Sequence, residues 1–146
     1  MRFVSFNVNS IRVRLPQLEK VISTYQPEII GLQETKVTDE DFPTEEINAM
    51  GYHAEFYGQK THYGVAILSK NQPEEVTFGL PTDDAQTQRR FIECKFNLLN
   101  QRNLSVINCT FPKEVIGSMQ QSFLRRRNST LTCLTISIIS TCQETY

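Results

Sequence analysis

Two polar side chains close apolar stretches near the start of this sequence, and both carry oxygens suited to a hard metal ion. Asn7 ends Arg2-Phe3-Val4-Ser5-Phe6, and Glu34 ends Ile29-Ile30-Gly31-Leu32-Gln33. In an open α/β sheet, ligands gather outside the carboxyl ends of the strands. An amide oxygen and a carboxylate brought together there would suit Mg²⁺, which takes oxygen ligands and keeps several waters. Residue types alone leave a plainer reading open, in which Asn7 caps its turn and Glu34 is a solvated acid at a strand end.

The elements that must position this pair are legible in the hydropathy pattern. Arg2 to Asn7 reads as a strand stopped by Asn7-Val8-Asn9-Ser10. Leu15, Leu18, Val21 and Ile22 predict an amphipathic helix placed after Pro16 and ending near Tyr25-Gln26-Pro27. The near-continuous apolar run from Ile29 is the pattern of a buried strand. Strand, helix and strand make a βαβ unit, so the first two strands should be parallel with a right-handed crossover.

Further on, Thr44 to Met50 reads as one or two helical turns. His53 to Tyr57, Val65 to Ser69, Val76 to Gly79, Phe91 to Phe96 and Leu104 to Asn108 read as short strands separated by turns. The expected architecture is a mixed-sheet α/β layer structure. Its core should hold Phe3, Phe6, Leu18, Ile29, Ile30, Leu32, Val65 and Ile67. Past Cys109 the alternation fades into a Ser- and Thr-rich segment with an Arg125-Arg126-Arg127 run and an apolar patch from Leu134 to Ile139.

Composition narrows the function classes. Of 146 residues, 39% are hydrophobic and 21% charged, the profile of a globular domain rather than a disordered one. A net charge of −1 means that any nucleic-acid surface must concentrate its positive charge locally. No run approaches a membrane span, and the start shows no apolar leader pattern. The four cysteines form no CxxC pair, so reduced thiols in a cytoplasmic protein are expected.

Five motifs in order carry a family resemblance. Asn7-Val8-Asn9-Ser10-Ile11-Arg12, Ile30-Gly31-Leu32-Gln33-Glu34-Thr35-Lys36, Gly58-Gln59-Lys60 with His62-Tyr63-Gly64-Val65-Ala66, Gln88-Arg89-Arg90-Phe91-Ile92 and Val106-Ile107-Asn108 resemble consecutive motifs of exonuclease III. That enzyme belongs to the endonuclease/exonuclease/phosphatase superfamily. The resemblance implies the N-terminal portion of a four-layer α/β sandwich. It also implies cleavage of DNA phosphodiesters by 3′-to-5′ exonuclease, abasic-site endonuclease and 3′-phosphatase activities.

Glu34 matches the family's magnesium-binding glutamate, and Asn7 the asparagine beside it, with Mn²⁺ the alternative ion. Lys36, Lys60, Arg89 and Arg90 would contact DNA, and the partner would be duplex DNA with abasic sites or 3′ ends. A monomer is expected.

The sequence departs from the family at Thr110, which stands where a Tyr-Phe-Pro motif places an active-site tyrosine. The family's later Gly-Asp-x-Asn and Ser-Asp-His motifs do not occur in these 146 residues, so no catalytic residue is assigned. The expected division is a partial domain over 1–108 and a divergent tail over 109–146. A base lost in the codon for Cys109 accounts for the tail. Restoring it lets Thr110 to Ile116 read Tyr-Phe-Pro-Lys-Gly-Gly-Asn and Ser122 to Thr130 read Lys-Phe-Pro-Ala-Glu-Lys-Lys-Phe-Tyr.

On this reading the chain itself is inactive, and a shortened sandwich would leave one apolar sheet face bare. Two alternatives stand beside it: a superfamily phosphodiesterase with another substrate, and a non-catalytic nucleic-acid-binding remnant of the fold.

Overall fold

The computed structural model describes residues 1–84, 87–98, 102–110 and 136–140. Strand β1 (Phe3–Asn7), helix α1 (Ile11–Tyr25) and β2 (Ile29–Gln33) open the chain. Helix α2 (Thr44–Ala49), β3 (His53–Tyr57) and β4 (Val65–Ser69) follow, then β5 (Glu75–Phe78), β6 (Phe91–Leu98), β7 (Arg102–Thr110) and β8 (Ile136–Ser140). The strands form two four-stranded sheets, ordered β1-β2-β4-β3 and β5-β6-β7-β8. As the βαβ pattern requires, β1 and β2 are parallel, with Asn7 opposite Gln33. The apolar patch in the tail supplies β8, which pairs parallel with β7.

Side-chain alternation sorts the core into layers. Ile30 and Leu32 face the helices with Leu18, Ile11, Ile47, Ala66 and Leu68. The opposite face, with Ile29, Val65 and Ile67, packs on Ile92, Cys94, Phe96, Leu104 and Val106 of the second sheet. Strands β2 and β4 are buried on both faces because one layer covers each. Helices, first sheet and second sheet are three of the four layers of the expected sandwich.

Three details differ from the sequence reading. Phe3 and Phe6 lie on β1, an edge strand, so they are only partly buried against the two clusters. Helix α1 starts at Ile11 and carries Pro16 inside it. Its early start is held from outside, since the Ser10 and Ile11 N–H groups donate to the Glu34 and Thr35 carbonyls at 2.9 and 3.0 Å. No apolar sheet face lies bare among the described residues. Phe91, Ile107 and Cys109, on the far side of the second sheet, are buried with Leu80 packed against them. The exposed large apolar side chains are Met1, Val13, Tyr25 and Phe78, scattered over several elements.

Candidate metal site

The register of β1 and β2 sets Glu34 one residue past Asn7's partner, at the carboxyl edge of the first sheet. There the Asn7 amide Nδ2 donates to Glu34 Oε1 at 2.9 Å. Asn7 Oδ1 accepts the Asn9 N–H at 3.0 Å. These two bonds fix the amide's orientation, because turning it over would set its oxygen against the carboxylate. The predicted pair is therefore adjacent, and in this arrangement Asn7 turns its amide nitrogen to the carboxylate and its oxygen to the Asn9 N–H.

Lys36 completes the cluster. Its ammonium lies 3.5 Å from Glu34 Oε2 and donates to Asn9 Oδ1 at 2.5 Å. The backbone here is held in uncommon conformations: φ is 41° at Asn9, 86° at Ser10, 55° at Glu34 and 56° at Lys36. Left-handed geometry at non-glycine residues persists only where surroundings over-determine it. The surroundings are backbone hydrogen bonds. Val8 N–H donates to the Gln33 carbonyl at 3.0 Å, Thr35 N–H to Gly64 at 3.2 Å and Lys36 N–H to Tyr63 at 2.9 Å.

The loop before β4 therefore supports the site from behind. Gly64 has φ of 101°, and a Cβ there would collide with Thr35 Oγ1, so the position demands glycine. Gly58 is equally confined, with a Cβ falling 2.5 Å from the Val37 carbonyl.

Beneath the site, Gln33 and Asn108 tie the two sheets together. Gln33 Nε2 donates to Asn108 Oδ1 at 2.7 Å, and Asn108 Nδ2 donates to the Leu32 and Ala66 carbonyls, each at 2.8 Å. Both side chains are fully buried. The sequence reading assigned them no role. Their signal was a polar residue at the inner end of an apolar strand, where burial demands a hydrogen-bonding partner.

The remaining basic residues diverge. Arg89 is folded onto the loop before β4: its guanidinium pairs with Asp39 at 2.9 Å, donates to the Gly58 carbonyl at 2.8 Å and lies over the Tyr57 ring. Its own N–H donates to Gln59 Oε1 at 2.8 Å, so it staples the loop. Arg90 stacks 4.1 Å from the Tyr63 ring centroid and is bonded to Gln88. Lys60 is exposed in the bend between β3 and β4. Thr110 ends β7, its N–H donating to the Arg90 carbonyl at 2.9 Å.

One carboxylate, held and partly buried, fits a hydrated divalent ion, since Mg²⁺ is commonly bound by one or two carboxylates plus waters and substrate oxygens. Among the described residues no cluster of three or more His, Cys, Asp or Glu could cage an ion. No described helix is long and apolar enough to cross a membrane.

Residues 4–128 match the family model described as endonuclease/exonuclease/phosphatase. The chain belongs to that family. The match runs past the expected boundary at residue 108 and into the tail. Exodeoxyribonuclease III of Haemophilus influenzae is 49% identical over 117 residues, covering 77% of this chain and 42% of that protein. The structure of an AP endonuclease from Archaeoglobus fulgidus superimposes with a TM-score of 0.65 at 37% identity, over 75% of this chain and 40% of that one. A 3′ phosphatase, NExo, from Neisseria bound to product DNA hairpin gives a TM-score of 0.72 at 30% identity, over 94% of this chain and 56% of that one. This family member thus spans about two fifths of the length of the exodeoxyribonuclease III it matches.

Proposed function

We propose that these residues form the metal-anchoring part of a magnesium-dependent DNA-repair nuclease of exonuclease III type. Its activities would be 3′-to-5′ exodeoxyribonuclease, incision at abasic sites and 3′-phosphatase. The observation that carries this reading is the Glu34 carboxylate, aimed by Asn7 at 2.9 Å across the ends of two parallel strands. A relative in the same family is named exodeoxyribonuclease III, and another holds a product DNA hairpin, which supports duplex DNA as the partner.

When bound, magnesium would supply Lewis-acid polarisation of the phosphate and offset charge on the leaving 3′ oxygen. The chain's own residues do the positioning. Glu34 anchors, Asn7 fixes its rotamer, and the Asn9–Lys36 contact closes the adjacent turn. Lys60 and Arg90 would meet phosphates, whereas Arg89 spends its donors on Asp39 and Gly58. Taken by themselves the 146 residues lack a general acid in the family's position, and Thr110 offers no phenol. Losing members of a catalytic unit costs orders of magnitude in rate.

The tail after Cys109 fits translation out of frame. The other frame of the same DNA should continue into a Gly-Asp-x-Asn motif and later a Ser-Asp-His motif. A gene with the base restored should yield a protein that incises an abasic-site duplex with magnesium, and Glu34→Gln should abolish that incision. The 146-residue chain should leave the duplex intact. Incision by the restored protein that survives Glu34→Gln would remove the proposed anchor. If no frame downstream encodes either motif, the second reading takes over: a non-catalytic nucleic-acid-binding protein built on this fold. The pairing of β8 onto β7 favours that reading, because it gives part of the tail a place in the sheet.

A further inference from the structure

We propose that Lys36 is a resident counter-cation for Glu34, which a divalent ion must displace to bind. The inference rests on the reading that Glu34 anchors the ion. Lys36 Nζ lies 3.5 Å from Glu34 Oε2, on the carboxylate oxygen that Asn7 does not hold. Its second contact, to Asn9 Oδ1, places the ammonium between the two loops that form the site. The side chains of Lys36 and Glu34 are 27% and 17% exposed, so water screens this pair less than an ordinary surface pair.

The placement is not a chance rotamer of a solvent-exposed lysine. Lys36 has φ of 56°, and its N–H is tied to the Tyr63 carbonyl at 2.9 Å. Glu34 has φ of 55°, and its carbonyl accepts the Ser10 N–H at 2.9 Å. Two left-handed residues flanking Thr35 turn the lysine stem back onto the carboxylate two positions earlier. A strained backbone that brings a cation onto a carboxylate is a place to look for function.

The consequence is competition. A magnesium ion needs its oxygen ligands at about 2.0–2.1 Å, so it competes for the outer side of Glu34 with an ammonium 3.5 Å away. Lysine suits the role because its charge is compact and its four-carbon stem can swing away, whereas arginine would hold the carboxylate with a planar fork. Lys36 therefore lowers the affinity of the empty site.

The experiment measures Mn²⁺ binding to the 146-residue chain by the electron-paramagnetic signal of free Mn²⁺, with thermal unfolding as the control for folding. Wild type, Lys36→Met, Lys36→Gln, Lys36→Arg and Glu34→Gln are compared. Lys36→Met and Lys36→Gln should each tighten binding on the order of tenfold, since a like charge beside the ion is removed. Lys36→Arg should bind no more tightly than wild type, and Glu34→Gln should lose the site. Two neutral replacements guard against one of them failing to fold. Glu34-dependent binding that is unchanged or weaker in the folded neutral variants would overturn the counter-cation while leaving the metal anchor standing. Absence of Glu34-dependent binding in wild type and neutral variants alike would sink both.

Discussion

Asn9, Ser10, Gln26, Glu34, Lys36 and Thr61 hold positive φ angles, and all six lie in loops of the first sheet. Among the described residues the second sheet shows only Gly79 in that region, a residue type for which it is nearly free. The contrast extends to side chains. The first sheet gathers a carboxylate, two amides and an ammonium at one edge, while β6 and β7 form a long regular hairpin whose inner face is apolar. One sheet stores strain at its loops, and the other supplies the flat, buried surface against which that strain is held. Asn108 is where the two meet.

The largest expected difference between the regions is in thiol chemistry on the supporting sheet. Burial pushes the Cys94 thiol up to about 12, with the Glu55 and Glu93 carboxylates adding to it, and burial alone does the same for Cys109. Against an ordinary value of 9.0 the thiolate is scarcer on the order of a thousandfold, so both should resist iodoacetamide in the folded chain. Peptide mapping after unfolding should show them labelled at ordinary rates. The sign for stability follows. The fold prefers the protonated thiols, so their contribution is present below about pH 9 and is lost as pH rises toward 12.

Asn108→Leu tests the joint itself. It would take the Asn108 Oδ1 acceptor from Gln33, which keeps Ser5 Oγ and the Gly31 carbonyl, and remove donors from the Leu32 and Ala66 carbonyls. Leaving buried polar groups unmatched should cost about 3 kcal/mol in urea denaturation. A loss below about 1 kcal/mol would mean that the sheets are held by apolar packing alone. Gly64→Ala probes the strained side. At φ of 101°, with Thr35 Oγ1 in the way, it should cost about 2 kcal/mol and lower the melting temperature.

Much of the strained region was legible in the sequence, for a physical reason. Turn residues on either side located β3 and β4 at His53–Tyr57 and Val65–Ser69, and the βαβ rule made β1 and β2 parallel. Parallel pairing then forced Asn7 and Glu34 together. Contacts that depend on distant registers were not legible. Nothing local to Gln33 points to Asn108, and nothing in Gln88-Arg89-Arg90 says that the first arginine pairs with Asp39 while the second lies on Tyr63. The early start of α1 escaped for a similar reason, since the carbonyls that receive its first N–H groups lie beyond β2.

Arg89 and Arg90 sharpen the comparison at smaller scale. Arg89→Met should destabilise by about 1 kcal/mol, since the Arg89–Asp39 pair is partly exposed, and the loss should shrink in high salt. Arg90→Ala should change stability by no more than about 0.5 kcal/mol. The order would reverse if Arg89 were the solvent-facing contact that its sequence motif suggests.

The smallest expected effect has the opposite sign. Thr35 is fully buried, and its hydroxyl has no hydrogen-bond partner among the described residues. It follows Glu34 directly, and its N–H and carbonyl are both used, by Gly64 and Ile11. A buried hydroxyl without a partner costs free energy in the folded state, whereas a methyl of similar volume does not. Thr35→Val keeps the branched shape beside Gly64 and should therefore stabilise the chain, by up to about 1 kcal/mol in urea denaturation. A destabilisation of that size would show that the hydroxyl has a partner after all, such as an ordered water. The strained loop would then be held by a polar contact as well as by its backbone hydrogen bonds.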